Sequence, residues 1–505
     1  MSLHYAAIDL GSNSFHMLIV RELQGTIQTV AKVKRKVRLA AGLDKHGLLD
    51  EAAMQRGWQC LSLFAEQVRD IDPKHLTIVA TATLRKATNR DQFILRAEQI
   101  LGHPIHVISG DEEASIIYRG VACTSSGRGQ RLVIDIGGAS TELIIGEQNQ
   151  AVLLNSLEMG CVTWMKRYFS PSKKITIDNF DAAILATKKT IAPYVSSYRR
   201  LGWQSCIGAS GTIQAIQEVM LYQQIPEPIT LKKLYLLRNQ IINTHPSAPL
   251  NIEGLTTERA PVFPSGLAIL IALFEELKIK DINLAGGALR EGLVYSLLSQ
   301  RASSSVRTHT AESFIKRHHI DENQAQQVCQ YALQLAAQIT PGFDHHERQM
   351  LRYASLFHEV GLNIEFKRAP EHAAYIIDHS DLPGFSSEQK HLISAMLLNQ
   401  RGNWHLSPLQ KQQAVTFSRA ITLTRLLRIA IILSMRRNQT NCQQVVLLQD
   451  SECLEHWTLD MPPGWPGKYP LRYAELMFEQ QNPARPQDAL RFVEWMAQKQ
   501  NNESF

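Results

Sequence analysis

The stretch Ala7-Ile8-Asp9-Leu10-Gly11-Ser12-Asn13-Ser14-Phe15-His16-Met17-Leu18-Ile19 returns in outline as Val133-Ile134-Asp135-Ile136-Gly137-Gly138-Ala139-Ser140-Thr141-Glu142-Leu143-Ile144-Ile145. In each copy a short apolar strand ends in Asp-x-Gly, turns through small polar residues and re-enters an apolar run. That pattern predicts a β-hairpin whose tip presents backbone N–H groups, hydroxyls and one carboxylate. Glycine lets the backbone approach a bound group closely, and successive N–H groups in such a tip form a concave anion site. The aspartate suits Mg²⁺, a hard cation that takes carboxylate and phosphate oxygens together. A single Asp-x-Gly turn is common in hairpins. Two of them, with Asp9/Asp135, Gly11/Gly137 and Ser14/Ser140 in register, predict two related half-domains facing one phosphate.

At 505 residues the chain is too long for one core and should divide into about three or four domains. Its apolar and charged fractions, 44% and 20%, are those of an ordinary globular protein. A net charge of +6 suits a polyanionic substrate without requiring nucleic acid. Asp9 interrupts the one early apolar run, so no signal peptide is expected, and no run is long enough to span a membrane. The seven cysteines (60, 123, 161, 206, 329, 442, 453) lack CxxC spacing and read as reduced thiols of a cytoplasmic protein.

Residues 3–43 alternate as strands. In Lys32-Val33-Lys34-Arg35-Lys36-Val37-Arg38-Leu39, period two places Lys32, Lys34, Lys36 and Arg38 on one face. Such a face is either solvated on an edge strand or one wall of a polyphosphate groove, since aligned like charges repel unless an anion offsets them. Asp50 opens a helix whose Met54, Trp58, Leu61 and Val68 share a face. Strand Leu76–Ala80 leads to Arg85, placed at a strand end as a surface cap or a bidentate phosphate clamp.

Ser109-Gly110-Asp111-Glu112-Glu113-Ala114 opens a helix with capping-box spacing from Ser109 to Glu112. Glu113 therefore heads the apolar stripe Ile117, Gly120, Val121, where a carboxylate is costly without a purpose. Spacing alone admits two accounts: a partner for the helix dipole, or a general base at the mouth of a cleft. Residues 124–130 read as a polar joint. Cys161, beside Gly160, has no partnered base in sequence and reads as packing. A long helix carries Phe180, Ile184, Ile191 and Val195, with Pro193 expected to kink or bound it. Gly208-Ala209-Ser210-Gly211-Thr212 is a strand-to-helix turn that either receives phosphate at the helix N-terminus or packs helix against strand.

Residues 298–310 read as a linker, and 311–437 as helical throughout. Histidines scattered there (His345, His346, His358, His372, His379, His391) are more simply core or surface residues than a metal cluster. The remainder, 442–505, reads as a small α+β cap: a hairpin of Val445–Leu448 and His456–Leu459, then helices from Arg472 and from Ala489, packed by Trp457 and Trp465.

The two tips resemble the phosphate-binding loops of the sugar-kinase, actin and heat-shock ATPase superfamily, and no Walker or dinucleotide fingerprint competes. Asp-Leu-Gly-Ser-Asn-Ser-Phe-His, Ala-Thr-Ala-Thr-Leu-Arg, Ile-Ser-Gly-Asp-Glu-Glu-Ala, Asp-Ile-Gly-Gly-Ala-Ser-Thr-Glu, Met-Gly-Cys-Val and Gly-Gly-Ala-Leu-Arg-Glu-Gly follow in that order. Together they resemble the exopolyphosphatase/guanosine pentaphosphate phosphohydrolase (Ppx/GppA) family, with residues 34–43, 160–164 and 284–295 more like its guanosine pentaphosphate branch. The resemblance implies an α/β fold: two actin-like (ribonuclease H-like, ASKHA superfamily) domains, an all-α HD-like domain and a small α+β C-terminal cap. The expected boundaries are 1–124, 125–305, 311–437 and 442–505.

By the same resemblance, Glu113 is the general base that activates water, with Asp135 the second catalytic carboxylate. Asp9, Asp135 and Glu142 are the expected Mg²⁺ ligands. The expected phosphate cradle comprises Gly11, Ser12, Asn13, Ser14, Gly137, Gly138, Ala139, Ser140 and Thr141. Lys36, Arg38 and Arg85 are the expected cationic contacts, joined by Gly208, Ser210 and Gly211 of the later turn. Ala139 stands where many members have glycine, adding one Cβ close to the phosphate path. His358-Glu359 replaces the His-Asp pair of an HD-type metal site, so the helical domain is expected to be non-catalytic. The implied reaction removes the 5′-γ-phosphate of guanosine pentaphosphate (pppGpp), giving ppGpp, with inorganic polyphosphate as second substrate and a role in the stringent response. The implied assembly is a homodimer through the C-terminal half, binding neither nucleic acid nor membrane. Competing readings are mainly polyphosphate hydrolysis, an ATP-dependent sugar or acid kinase, a non-catalytic guanosine polyphosphate sensor, and an HD-type hydrolase site in 311–437.

Overall fold

The computed structural model describes residues 3–23, 26–125, 129–169, 175–243, 252–298, 306–437 and 445–494. They form two compact units, 1–306 and 307–505. The first unit opens with β1 (His4–Leu10), β2 (Ser14–Leu23), β3 (Thr26–Lys36), α1 (Glu51–Val68), β4 (Leu76–Ala80), α2 (Ala82–Lys86), α3 (Arg90–Leu101), β5 (His106–Val107) and α4 (Gly110–Thr124). It continues with β6 (Gln130–Ile136), β7 (Thr141–Glu147), β8 (Gln150–Leu157), α5 (Cys161–Tyr168), α6 (Ile177–Leu201), β9 (Ser205–Gly208), α7 (Gly211–Tyr222), α8 (Leu231–Ile242), α9 (Phe263–Leu277), β10 (Asn283–Leu284) and α10 (Leu289–Leu297).

The sheet orders are β3-β2-β1-β4-β5 and β8-β7-β6-β9-β10, each an antiparallel three-strand meander extended by two parallel strands. The duplication read from the two tips is therefore a duplication of topology. It extends to irregularities: the meanders shift register at Ile19/Val20 and, at the matching point, at Ile145/Gly146. Asp9 pairs opposite His16, and Asp135 opposite Glu142, so His16 and Glu142 hold equivalent places.

Strands β1 and β6 are apolar on both faces because helices cover both sides of each sheet's parallel part. Asp50 caps α1 by accepting the Ala53 N–H at 2.6 Å, and Met54, Trp58, Leu61, Phe64 and Val68 bury the inner face. The capping box of α4 forms as its spacing predicts, with Ser109 and Glu112 bonding each other's backbone N–H. A shared core of Ala7, Leu18, Ile117, Val133, Ile144 and Leu293 joins the two sheets through α4 and α10. These helices cross at glycines. A Cβ on Gly120 would lie 2.0 Å from the Ala288 carbonyl oxygen, and one on Gly292 2.0 Å from that of Ile116. Only hydrogen fits at that separation, so the crossing fixes how the two lobes meet.

Four local expectations are corrected or narrowed. The basic strand ends at Lys36, and Arg38 takes a left-handed backbone (φ 54°), so it leaves the lysine face. Arg85 lies within the one-turn helix α2, not at the strand end. Pro193 does not end its helix, since α6 runs through it to Leu201. Of the expected 298–310 linker, 299–305 lie outside the described residues and Val306 already begins a helix.

The second unit holds α11 (Val306–Arg317), α12 (Glu322–Ala336), α13 (His345–Phe357), α14 (Ala369–His379), α15 (Ser387–Leu398), α16 (Leu406–Lys411) and α17 (Phe417–Leu433). Then come β11 (Val446–Gln449), β12 (His456–Met461), α18 (Trp465–Lys468), α19 (Pro470–Gln481) and β13 (Ala489–Glu494). One core runs from Phe314 and Phe357 through Leu427 to Trp457, Trp465 and Leu476. The helix expected from Ala489 is instead β13, paired parallel to β12. Its reason is period two: Leu490 is buried and Phe492 partly so, while Arg491 and Val493 are exposed.

Candidate active site

The two tips meet. A Cβ on Gly138 would lie 3.3 Å from Ser12 Cβ and 3.9 Å from Asn13 Cβ, so the hairpin turns of the two lobes form opposite walls of one crevice. Each tip is braced alike from behind. The Ser12 carbonyl accepts from Ala40 N–H and the Asn13 carbonyl from Val37 and Arg38. The Gly137 carbonyl accepts from Cys161 N–H, and that of Gly138 from Val162. Gly160 allows this bracing, because a Cβ there would stand 2.5 Å from the Gly138 carbonyl and Ala139 nitrogen. Cys161 is thus a buried brace residue, and burial raises its thiol pKa, which disfavours the thiolate.

Four carboxylates converge on the crevice. Glu113, buried in the first turn of α4, accepts from Arg85 Nη1 at 3.2 Å, while the same nitrogen donates to the Ile108 carbonyl at 2.8 Å. Its pKa stands well above the usual carboxylate range, through burial first and then repulsion from Glu142 and Asp9, with Arg85 opposing. Glu142 is also buried and raised, relieved by hydrogen bonds from Ser156, at 2.8 Å, and Ser140. Asp135 is pushed up to about 8 by burial and by Glu142 and Asp9, with Arg290 opposing. Asp9 Oδ2 lies 3.3 Å from His16 Nδ1, and its Oδ1 is buried without a hydrogen-bond partner.

Among the described residues no three His, Cys, Asp or Glu side chains form a ready-made metal cage. Mg²⁺ does not need one, since it is commonly held by one or two carboxylates together with substrate phosphates. An orphaned Asp9 oxygen and an Asp135 charge opposed by two neighbours fit a hard divalent cation. A pH signature follows. The folded Asp135 binds its proton up to about 8 against an ordinary 3.8, so its share of stability falls as pH rises through that window. Asp135→Asn should therefore raise the melting midpoint of the metal-free protein more at about pH 8 than at about pH 5. Equal shifts at both, in calorimetric scans, would refute the electrostatic conflict.

The remaining expected contacts divide. Gly11, Asn13, Gly137 and Gly138 sit partly exposed at the tips, with Ser12, Ser14, Ala139 and Ser140 buried among them. Thr141 is fully buried and its hydroxyl donates to the Met159 carbonyl at 2.7 Å, so it supports the tip from behind and is not placed to contact a ligand. Ser210 caps α7 by accepting from Ile213 N–H, and Gly208 makes room for the Ile213 side chain, which are packing duties. Gly211 lies under the Arg259 guanidinium. Lys36 reaches Glu258 at 3.4 Å, and Arg38 is exposed beyond the strand end.

Sequence reasoning missed four residues here. His16 and Ser156 steady Asp9 and Glu142, Arg290 offsets Asp135, and Arg259 covers Gly211. Hairpin register would have shown His16 and Ser156, which pair opposite Asp9 and Glu142; Arg259 and Arg290 arrive from distant segments. In the second unit, His358 is buried with Nδ1 2.8 Å from the Ser355 carbonyl oxygen, and Glu359 is engaged by Arg437.

A family model described as the Ppx/GppA phosphatase family matches residues 18–301, and one for Ppx/GppA phosphatase domain III matches 306–480. The guanosine-5'-triphosphate,3'-diphosphate pyrophosphatase of Aeromonas hydrophila is 53% identical over 478 residues, 94% of this chain and 96% of that one. Its namesake in Vibrio vulnificus is 51% identical, over 94% and 95%. The crystal structure of an exopolyphosphatase from Cytophaga hutchinsonii superposes with a TM-score of 0.54 at 23% identity, covering 60% of this chain and 100% of that one. The Aquifex aeolicus Ppx/GppA family member gives 0.51 at 22%, over 60% and 100%. The two structures share the fold, while the sequence matches span both units: the chain belongs to the Ppx/GppA phosphatase family.

Proposed function

We propose that this chain hydrolyses the terminal 5′-phosphoanhydride of guanosine pentaphosphate to ppGpp and phosphate, and trims inorganic polyphosphate by the same chemistry. The observation that carries this reading is the convergence of Glu113, Glu142, Asp9 and Asp135 on one crevice between two braced glycine tips. The 53% and 51% identity to the Aeromonas and Vibrio guanosine-5'-triphosphate,3'-diphosphate pyrophosphatases, over nearly the whole of each chain, supports the choice of nucleotide.

The terminal phosphoryl sits between the tips, with backbone N–H groups of residues 11–14 and 138–140 available to its oxygens, while the Gly137 N–H closes its own tip on the Ser140 carbonyl. Glu113, whose raised pKa makes it a stronger base than an ordinary carboxylate, orients a water in line with the breaking P–O bond and takes its proton. Arg85 steadies Glu113 and offers a second guanidinium edge to the phosphate. Asp9, Asp135 and Glu142 would hold Mg²⁺, which supplies charge neutralisation on the phosphate oxygens. No covalent enzyme intermediate is needed, since positioning and electrostatics supply the acceleration. Lys36 and Arg38 hold phosphates beyond the terminal one.

In this reading 1–124 and 125–305 are the two actin-like domains, 311–437 the HD-like domain and 442–505 the cap. The enzyme acts in the cytoplasm, in the stringent response, as a homodimer. Exposed Ile364, Phe366 and Tyr375 give the C-terminal half apolar surface that a second copy would cover. Among the described residues no helix is long and apolar enough to cross a membrane. The test is phosphate release from guanosine pentaphosphate and from long polyphosphate at equal concentration, without any acceptor. Release from both, faster from the nucleotide, is expected; no free phosphate without an acceptor, and phosphoryl transfer onto one when it is supplied, would make the chain a kinase.

A further inference from the structure

The basic strand β3 is already met by carboxylates of the opposite lobe. Lys32 Nζ lies 3.6 Å from Glu291 Oε1, while Lys34 and Lys36 reach the two oxygens of Glu258 at 3.9 and 3.4 Å. The two acids differ in kind. Glu291 is buried and fixed, its Oε2 accepting the Ala288 N–H at 2.8 Å as part of the start of α10. Glu258 is on the connection before α9, its side chain 55% exposed, and these lysines are its only partners among the described residues.

The surroundings hold excess positive charge. The Lys34 pKa is lowered by burial, then by Arg259, with smaller contributions from Lys36 and Arg290, and Glu258 alone opposes. One exposed carboxylate thus stands among four cations. A singly charged group held by two long surface pairs is weakly bound, whereas a phosphate chain brings several charges and stronger charge-assisted hydrogen bonds.

We propose that Glu258 is a built-in competitor for this groove: in the free protein its carboxylate occupies the Lys34–Lys36 pair, and the phosphate segment beyond the terminal phosphoryl displaces it. The inference rests on the reading above that β3 lines the substrate path. Its consequence is a charge threshold. A chain of phosphates displaces Glu258, and released orthophosphate, with fewer charges, does so less well.

The experiment titrates inorganic tripolyphosphate into the full chain by calorimetry, for the parent, Glu258→Gln, Lys36→Gln, Lys34→Gln/Lys36→Gln, and Glu258→Gln added to that lysine pair. Removing the competing carboxylate should tighten binding by about three- to tenfold, and that gain should vanish on the background lacking both lysines. Parent-like or weaker binding by Glu258→Gln, while Lys36→Gln weakens binding, would overturn the competitor and leave the groove standing. Parent-like binding by Lys36→Gln would remove the groove itself and the competitor with it. Turnover of guanosine pentaphosphate is scored separately, so its absence alongside the Glu258→Gln gain would reject the substrate and not the competitor.

Discussion

Glu113→Gln is expected to bind guanosine pentaphosphate as the parent does and to release phosphate more slowly by a factor on the order of 10²–10⁴. The substitution keeps the shape and leaves an amide oxygen able to accept from Arg85, so the arrangement that positions the side chain survives. What disappears is the proton acceptor. The tips proposed to hold the terminal phosphate belong to β1–β2 and β6–β7 and do not depend on Glu113 for their bracing. The loss should therefore fall on kcat with KM little changed, the mark of an interaction made only in the transition state. Stability provides an internal control. Glu113 is a buried carboxylate repelled by Glu142 and Asp9, so its neutral replacement should melt no lower than the parent near neutral pH. Turnover close to that of the parent would strip Glu113 of the role of base, and a variant that also lost substrate binding would make it structural.

The second large effect lies in the other unit. Arg428→Met should lower the melting midpoint of that unit by something on the order of 10 °C, from a loss of about 3–5 kcal/mol. Arg428 is among the largest fully buried side chains of the chain. It donates to both carboxylate oxygens of Glu479, at 2.7 and 2.5 Å, and to the carbonyls of Asn399 and Gly402, and stacks 4.6 Å above the Trp404 ring. Methionine fills much of the volume but leaves Glu479 without its counter-charge in an enclosed site. The penalty is mainly that stranded charge, so adding Glu479→Leu should restore part of the loss. Calorimetric scans of both variants decide it. A single variant melting with the parent, or a double variant melting below the single, would show that the pair does not hold α17 to α19.

The residues of the candidate crevice were readable to the extent that their signals are local. The Asp9 and Asp135 tips, the Ser109–Glu112 capping box and the Asp50 cap each fall within a few residues, and backbone geometry converts that spacing directly into structure. Glu113 followed from the capping box, because fixing Glu112 at the third helical position sends the next side chain toward the apolar stripe. Ala489 failed for the opposite reason: six residues of mixed pattern suit either a helix or a strand, and the choice was made by pairing with β12 and by Asp488 being held by Arg425 and Arg485. Lys32, Lys34 and Lys36 fell on one face as period two requires, yet nothing near them in sequence announced Glu258 or Glu291.

The amino-acid order alone determined that two like hairpins exist, which residues sit at their tips and where the helix carrying Glu113 begins, because hydrogen-bond spacing and side-chain period act over one or two turns. Tertiary structure decided that the tips touch, that Thr141 faces inward and that Glu258 reaches the lysines. Those outcomes depend on the Gly120–Gly292 helix crossing and on pairing between segments far apart in the chain, where the approach of two surfaces, and not the local pattern, sets the distance.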